Sequence, residues 1–251
     1  MTTTAEDRHP AGGSPPAGSH RPDGGHRPAG DHRPAGDDRL RELPLRERKR
    51  LRTRRALVET ALTRYARDGF ERTTLDDLAD EVEVSKRTFF RYFASKEDVA
   101  LAPEKEFWAV FLDVLGEADL FGPLLGVFHR ALTGALERMD EDWEHQFAAS
   151  RRLVENTPAL TAASLQHCAE TSTGILDLLA RRLPPLDADD VRLRIALEIT
   201  VAAWRCALRD WATAPAVTAD RPHLIALTDR AFAAVPGAVG YTVSGPGGDT
   251  A

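Results

Sequence analysis

The segment from Thr74 to Asp98 constrains the fold of this chain more than any other part of the sequence. Thr74, Ser85 and Ser95 each stand directly before a short run with helical spacing. A Ser or Thr hydroxyl at that position accepts a hydrogen bond from a free backbone N–H group at the helix start. Because so few residues separate successive caps, the segment predicts short helices joined by tight turns.

The helix predicted after Ser85 carries side chains that suit DNA. Phe89 and Phe93 fall on its inward stripe and are expected to pack on the preceding helix. Its outward residues are basic or hydroxylated: Lys86, Arg87, Thr88 and Arg91. Arg and Lys suit guanine O6 and N7, and a Thr methyl group suits the thymine methyl. The segment therefore predicts a DNA-binding helix-turn-helix, although a basic surface turn without a partner would show similar residues.

Neighbouring residues are suited to phosphate. The Tyr92 hydroxyl can donate to a phosphate oxygen, and Lys96 stands at a helix start, where the backbone already favours an anion. The basic stretch before Leu57, which includes Arg48 and Arg52, is expected to meet the flanking DNA backbone.

The charge distribution agrees with a localised anionic partner. The chain has a net charge of -6, yet residues 45–96 contain 14 Lys and Arg residues against 9 Asp and Glu residues. A basic segment inside an acidic protein indicates a polyanion site rather than a generally basic surface. The alternative is a solvated helix face.

The rest of the chain also has helical periodicity, and no convincing strand alternation appears, which predicts an all-α fold. A first helix is expected over residues 46–68, and a helix from Ser95 to about Leu115 should be kinked or broken at Pro103. Further helices are expected at five places: 122–139, 141–155, 158–182, 188–213 and 220–235.

Four segments follow from these patterns. Residues 1–44 are rich in Gly, Pro and His and contain an HRPAGD near-repeat, so they predict a disordered tail. The repeated residues His20, His26 and His32 could bind a metal, but a flexible tail with incidental histidines is favoured. A three-helix DNA-binding domain is expected at 45–96, a helical ligand-binding and dimerisation domain at 97–235, and a loose Gly-rich tail at 236–251.

Several protein classes are not expected. The two cysteines, Cys168 and Cys206, lack metal-ligand spacing and suit a reduced intracellular protein. No apolar run approaches the roughly 20 residues of a membrane span, and the polar N-terminus is unlike a signal peptide, so a cytoplasmic location is predicted. No phosphate-binding loop, metal cluster or nucleophile–base pair is evident, so no enzyme, cofactor or metal is expected.

Residues 47 to about 100 resemble the DNA-binding domain of TetR-type transcriptional regulators. The resemblance is carried by an aromatic residue near the end of the first helix and by the motifs TTLDDLA, VSKRTFFRYF and SKED. In that family the third helix enters the major groove. The resemblance therefore implies that Lys86, Arg87 and Thr88 contact bases. It also implies backbone contacts from four residues: Thr74, Phe90, Tyr92 and Lys96.

Two residues depart from the pattern of the family. Glu83 stands in the turn where the family usually has Gly. A left-handed conformation would then cost roughly 1 kcal/mol, unless the turn is remodelled. Phe90 stands where the family often has Tyr, and without a hydroxyl it can offer only apolar contact to a sugar or a thymine methyl.

The resemblance further implies a homodimer formed by the last two long helices. Small and apolar residues at helical spacing agree with this: Ile195, Ile199, Ala202, Cys206, Leu224, Leu227 and Ala231. The alternative is that these stripes pack only within one protomer. Two DNA-binding modules on a two-fold axis would bind a pseudo-palindromic operator.

The resemblance also implies an inducer pocket among the middle helices. Candidate ligand-binding residues combine aromatic and polar side chains: Trp108, Phe111, Phe128, Phe147, Arg151, His167, Thr171 and Trp204. Aromatic residues at this spacing are also typical of plain core. The arginines, and a weak similarity of RRLVENTPAL to regulators with acyl-CoA-like ligands, suggest an acyl-CoA-like or other apolar anionic inducer.

The expected function is a dimeric repressor that a small molecule releases from its operator, with a hinge at Pro103. Two alternatives remain open: a transcriptional activator, and a helical scaffold protein whose helix-turn-helix no longer binds DNA.

Overall fold

The computed structural model describes residues 44–184, 187–213 and 220–242, and every regular element in these residues is an α-helix. Ten helices follow along the chain: α1 Leu45–Asp68, α2 Leu75–Glu81, α3 Lys86–Tyr92, α4 Lys96–Ala100, α5 Ala102–Glu117, α6 Leu124–Arg138, α7 Trp143–Asn156, α8 Pro158–Arg182, α9 Val191–Ala212 and α10 Arg221–Val239. The predicted all-α class is confirmed. The described helices include none that is long and apolar enough to cross a membrane.

The predicted ends of the helices are correct to within a few residues, except at the C-terminal end. The sequence predicted a loose tail from residue 236, but α10 continues through Pro236 to Val239. That part of the prediction is wrong, because a proline on an exposed last turn removes one helical hydrogen bond without ending the helix. Residues 1–43, with the predicted tail, and residues 243–251 lie outside the described structure.

Helices α1–α4 share one apolar core, and we call this unit the head. Five inward positions of α1 are buried: Leu57, Val58, Ala61, Leu62 and Tyr65. Phe89 of α3 and Val99 of α4 are completely buried against them. By packing, α4 therefore belongs with the three preceding helices, although the predicted domain boundary falls after residue 96.

The three hydroxyl residues cap helices as predicted. Thr74 Oγ1 accepts from the backbone N–H of Asp77 at 3.2 Å, and Asp77 Oδ2 accepts from the backbone N–H of Thr74 at 2.8 Å. Ser85 Oγ accepts from the N–H of Thr88 at 3.1 Å, and Ser95 caps α4 in the same way. These bonds satisfy N–H groups that have no partner within their helices, which is why such short helices can form.

The turn between α2 and α3 keeps the left-handed conformation. Glu83 has φ of 54°, the one positive φ among the described residues other than glycine. Its N–H donates to Asp80 O, and the next N–H, of Val84, donates to Ala79 O at 2.8 Å. The turn is therefore not remodelled to suit Glu83, and the side chain adopts a conformation that favours glycine.

The predicted break near Pro103 is present. α4 ends at Ala100 and α5 begins at Ala102, with Leu101 between them and Pro103 in the first turn of α5. Proline is tolerated there because the first N–H groups of a helix have no internal acceptor. The Pro103 carbonyl accepts a hydrogen bond from Trp143 Nε1 at 2.9 Å, which holds the break against α7.

Helices α5–α10 enclose a second core, and we call this unit the body. Its centre is aromatic: the Phe107 ring stacks on Trp204 at 4.8 Å and on Trp143 at 5.6 Å between centroids. Phe147 stacks on Trp143 at 4.4 Å. These stacked rings join α5, α7 and α9, so the packing of these three helices against one another is well defined.

Candidate DNA-binding surface and ligand cleft

The predicted base-contacting residues lie together on the outer face of α3. Lys86 and Arg87 are exposed, and Thr88 is partly exposed beside the Ser85 cap. Phe89, one residue later, is completely buried, and this fixes the rotation of α3 about its axis. The Lys86 ammonium lies 2.8 Å from Asp76, but both side chains are largely exposed, so the ion pair contributes little stability and can exchange for DNA.

The C-terminal part of α3 borders a basic groove. Phe90 is 52% exposed, and the Arg91 guanidinium lies over the Tyr92 ring at 5.3 Å from its centroid. Across the groove, the first turns of α1 contribute cationic side chains: Arg46, Lys49, Arg50 and Arg54. The groove has a volume of about 600 Å³, and every charged residue lining it is basic, so it suits an anion such as a phosphate.

Other predicted backbone contacts are placed differently. Thr74 is exposed at the start of α2, but its hydroxyl takes part in the cap. The ammonium of Lys96 points inward: it donates to Phe70 O at 3.0 Å and to Thr73 O at 3.4 Å, and lies over the Phe70 ring. Lys96 therefore ties α4 to the loop before α2, and its predicted phosphate contact would require leaving these partners.

The predicted backbone contacts on α1 differ in exposure. Arg52 is exposed, whereas Arg48 is partly buried, and its Nε has no acceptor among the described residues. Both lie in the basic turns before Leu57, on the helix that also borders the groove. Their contact with DNA stays a prediction.

A cleft of about 400 Å³ opens in the body between α5, α7, α8 and α9. Four predicted ligand-binding residues line it: Trp108, Phe147, Arg151 and Trp204. Phe111 and Phe128 do not, because both are completely buried in the core of the body. His167 and Thr171 lie on α8 but do not line the cleft, so the structure places half of the predicted set outside it.

The cleft contains a buried acid that the sequence did not single out. Glu104 lies in the first turn of α5 and is 6% exposed. The Ser164 hydroxyl of α8 donates to its carboxyl oxygens, at 2.9 and 3.1 Å, and Arg151 Nη1 of α7 lies 3.4 Å away. Burial raises the pKa of Glu104, and the charge of Arg151 and the Ser164 hydrogen bond oppose that rise.

The cleft lies close to the junction of head and body. Ser150, on the same helix as Arg151, donates a buried 2.6 Å hydrogen bond to the carbonyl of Ala100 at the end of α4. Arg54 of α1 pairs with Glu106 of α5 at 3.4 Å. Helices that line the cleft are therefore bonded directly to helices of the head.

On α9 an exposed apolar stripe lies where the sequence predicted part of the dimer face, whereas the predicted α10 residues are covered by the protomer itself. Ile195 is 54% exposed and Val191 is also exposed, which is unusual for large apolar side chains on a helix. Ala202 and Cys206 are exposed on α9, and Ile199 is partly exposed. In contrast, Leu224 and Leu227 are buried within the protomer, so their assignment to the interface is wrong. Ala231 is half-buried against the same core.

The α10 error has a simple physical reason. Helical periodicity identifies an apolar stripe but cannot tell which neighbour covers it. On α10 that neighbour is the body of the same protomer, and on α9 one stripe is used for the core while a second one remains exposed.

Two family models match the chain. The model described as bacterial regulatory proteins of the tetR family matches residues 57–102, which contain the end of α1 and all of α2, α3 and α4. The model described as the MftR C-terminal domain matches residues 122–239, which contain α6–α10.

Two curated relatives each match about two thirds of this chain. The HTH-type transcriptional regulator TcmR of Streptomyces glaucescens is 38% identical over 175 residues, covering 66% of this chain and 76% of the relative. MftR of Mycobacterium tuberculosis, named as a mycofactocin biosynthesis transcriptional regulator, is 27% identical, covering 65% of this chain and 83% of the relative.

A crystal structure from Mesorhizobium loti, named as a TetR-family transcriptional regulator, is 17% identical with a TM-score of 0.43, covering 75% of this chain and 97% of that one. The family models and the TcmR match agree with the short capped helices of the head and with the exposed basic face of α3. The chain therefore belongs to the TetR family of DNA-binding transcriptional regulators.

Proposed function

We propose that the protein is a ligand-responsive repressor that binds a pseudo-palindromic operator as a homodimer and leaves it when a small molecule occupies the cleft. The observation that carries the proposal is the position of the cleft: Glu104 on its wall is four residues after Ala100, the last residue of the head. A ligand in the cleft would contact the first turn of α5, which follows directly after the head in the chain. The relatives are transcriptional regulators rather than enzymes, and we place this protein in the cytoplasm with the DNA.

Sequence recognition is assigned to the N-terminal end of α3. Lys86 and Arg87 are exposed there and can reach base edges, while Thr88 offers a methyl group. Arg91, Tyr92 and the basic turns of α1 would hold the adjacent phosphates. Phosphate contacts fix the register on the duplex, and base contacts supply the specificity.

The partner protomer is assigned to the exposed stripe of α9. A single DNA-binding module gives a small interface, so operators are commonly bound by two modules related by a two-fold axis. Ile195 and Val191 give that stripe large apolar side chains, and Ala202 allows close approach. An isologous interface of this kind relates the two α3 helices by a two-fold axis, as a pseudo-palindromic operator requires.

The inducer is assigned to an amphipathic molecule, such as an acyl-CoA-like compound or another apolar anion. The cleft offers apolar walls, and Arg205 and Arg209 of α9 are exposed at its edge, where an anionic end would lie. Arg151 is already engaged by Glu104, so it is less available to an anion than its sequence position suggested.

Release requires the ligand to bind the DNA-free conformation more tightly than the DNA-bound one. The break at Leu101 and Pro103 is the place where α4 and the head can rotate relative to α5. We propose Pro103 as the hinge. Replacement of Pro103 by Ala should alter ligand response more than operator affinity without ligand.

The test is fluorescence anisotropy with duplex DNA from the region upstream of the protein's own gene, titrated at several salt concentrations. A specific complex should weaken steeply with salt, by roughly one log–log slope unit for each phosphate contact. Native mass spectrometry of the purified protein should show a dimer and any ligand that it retains. Absence of binding at low salt would favour the scaffold alternative, and higher promoter output on binding would favour an activator.

A further inference from the structure

The polar groups on the wall of the cleft are not fully used. A carboxylate has about four sites that accept hydrogen bonds. Glu104 receives the single proton of the Ser164 hydroxyl, shared between its two oxygens, and one long contact of 3.4 Å from Arg151. A buried carboxyl group with so few donors retains the capacity to accept another hydrogen bond.

Arg151 is the complementary group on the same wall. Its guanidinium has five N–H donors, of which the contact with Glu104 uses one. Its Nε is buried and has no acceptor among the described residues. An acceptor with spare capacity and a donor with spare capacity therefore lie side by side on one wall of the cleft.

The surrounding wall is apolar and partly aromatic. Trp108, Phe147 and Trp204 contribute ring surface, and Val201 and Leu208 contribute aliphatic surface. The stacking of Phe107 on Trp204 holds that ring in one orientation. Such a surface favours a flat apolar molecule over a flexible polar one.

We infer that the cleft binds a flat aromatic ligand carrying a hydroxyl group, which donates to Glu104 and accepts from Arg151. A carboxylate at this position would be repelled by Glu104, and an ammonium would be repelled by Arg151. A hydroxyl group both donates and accepts, so it matches both neighbours. This inference rests on the proposed function of the cleft as the ligand site and specifies the part of that ligand that contacts Glu104 and Arg151.

The test uses two probes of nearly the same shape, 2-naphthol and 2-methoxynaphthalene, in equilibrium dialysis against the full-length protein without DNA. The methyl ether keeps the ring and the oxygen but cannot donate. The protein should bind 2-naphthol on the order of ten- to a hundredfold more tightly, because the hydrogen bond that the hydroxyl donates to the buried carboxyl group is lost in the ether. Equal affinities, tighter binding of the ether, or no binding of either probe would overturn the inference.

Variants of two glutamates that line the same cleft test whether the preference for 2-naphthol arises at Glu104. Glu104→Ala should bring the ratio of the two affinities close to one, whereas Glu155→Gln, which changes an exposed glutamate, should leave the ratio unchanged. Glu104→Gln preserves the side-chain shape and should give an intermediate ratio, so a result is obtained even when the Ala variant does not fold. An unchanged ratio in Glu104→Gln would contradict the role of the carboxyl group.

Failure here is separable from failure of the proposed function. Operator binding and release are measured with DNA, whereas the dialysis contains none. A protein that binds its operator but shows no preference for 2-naphthol would remain a repressor with a different ligand.

Discussion

The head and the body place their functional side chains in opposite directions. In the head, a small core buries Phe89 and leaves its neighbours Lys86, Arg87 and Phe90 facing outward. In the body, the polar groups of interest face inward, and Glu104 is almost completely buried. The head therefore presents its charged groups on an open surface, whereas the body encloses its polar groups in a cleft.

This difference explains why the two sites were not equally predictable. The proposed base-contacting residues, Lys86, Arg87 and Thr88, are consecutive in sequence. Burial of the next residue, Phe89, therefore decides which way they face. The cleft combines Glu104, Arg151, Ser164 and Trp204, which come from four helices and are separated by up to a hundred residues. No local sequence pattern predicts that these four helices pack together around one cleft.

The largest expected effect tests whether a change in the body reaches the head. Ile195→Asp introduces a charge in each protomer of the proposed α9 interface and should convert the dimer to a monomer. Bivalent binding typically adds a factor of roughly 100 to 10,000 in affinity, and the operator complex should lose most of it. Light scattering and anisotropy measure the two effects. Phe121→Asp in the loop before α6, at a site 69% exposed, is the matched control and should change neither mass nor operator affinity.

The next effect concerns only the head. Arg87→Ala should weaken operator binding by about 1–3 kcal/mol and leave binding to random DNA nearly unchanged, because base contacts supply specificity. Arg52→Ala should weaken both DNAs to a similar extent. Arg138→Ala, on the body, is the control and should affect neither. If Arg87→Ala lowered the affinity for operator and for random DNA equally, the assignment of α3 as the sequence-recognition helix would be wrong.

A third effect concerns only the body and depends on pH. Because the pKa of Glu104 is raised in the folded state, the folded protein binds more protons than the unfolded one just above the usual carboxyl pKa. Its contribution to stability is therefore greatest at low pH and falls as pH rises through the raised pKa.

Glu104→Gln does not titrate. Its stability relative to the original protein should rise with pH from about 4.3 and then level off, by about 1.4 kcal/mol for each unit of difference between folded and unfolded pKa. Urea denaturation at several pH values measures this, with Glu155→Gln as the control. A difference that does not vary with pH would show that Glu104 has the same pKa in both states.

The smallest effect returns to the turn of the head. Glu83 has a positive φ, so Glu83→Gly should relieve strain and raise the free energy of unfolding by about 0.5–1 kcal/mol, less the greater freedom of glycine in the unfolded chain. Glu83→Gln removes the charge but keeps the strain and should have little effect. If Gln stabilised as much as Gly, charge rather than backbone conformation would be the cause.

Head and body are connected by contacts that neither motif predicts. Ser150 bonds to Ala100, Arg54 of α1 pairs with Glu106 of α5 at 3.4 Å, and Arg55 of α1 pairs with Asp140 beside α7 at 3.1 Å. These contacts join residues about 50 to 85 positions apart. They would carry any effect of a ligand to the DNA-binding face.

The sequence by itself determined the helices, their caps and the outward face of α3, because each depends on residues within a few positions of one another. It predicted the left-handed turn at Glu83 as one of two outcomes, and the conformation of the turn decided between them. Only the tertiary structure decided that Leu224 and Leu227 face the protomer's own core, that Lys96 points inward and that Glu104 meets Arg151 and Ser164. Periodicity identifies a face of a helix, but the packing of distant helices determines what covers that face.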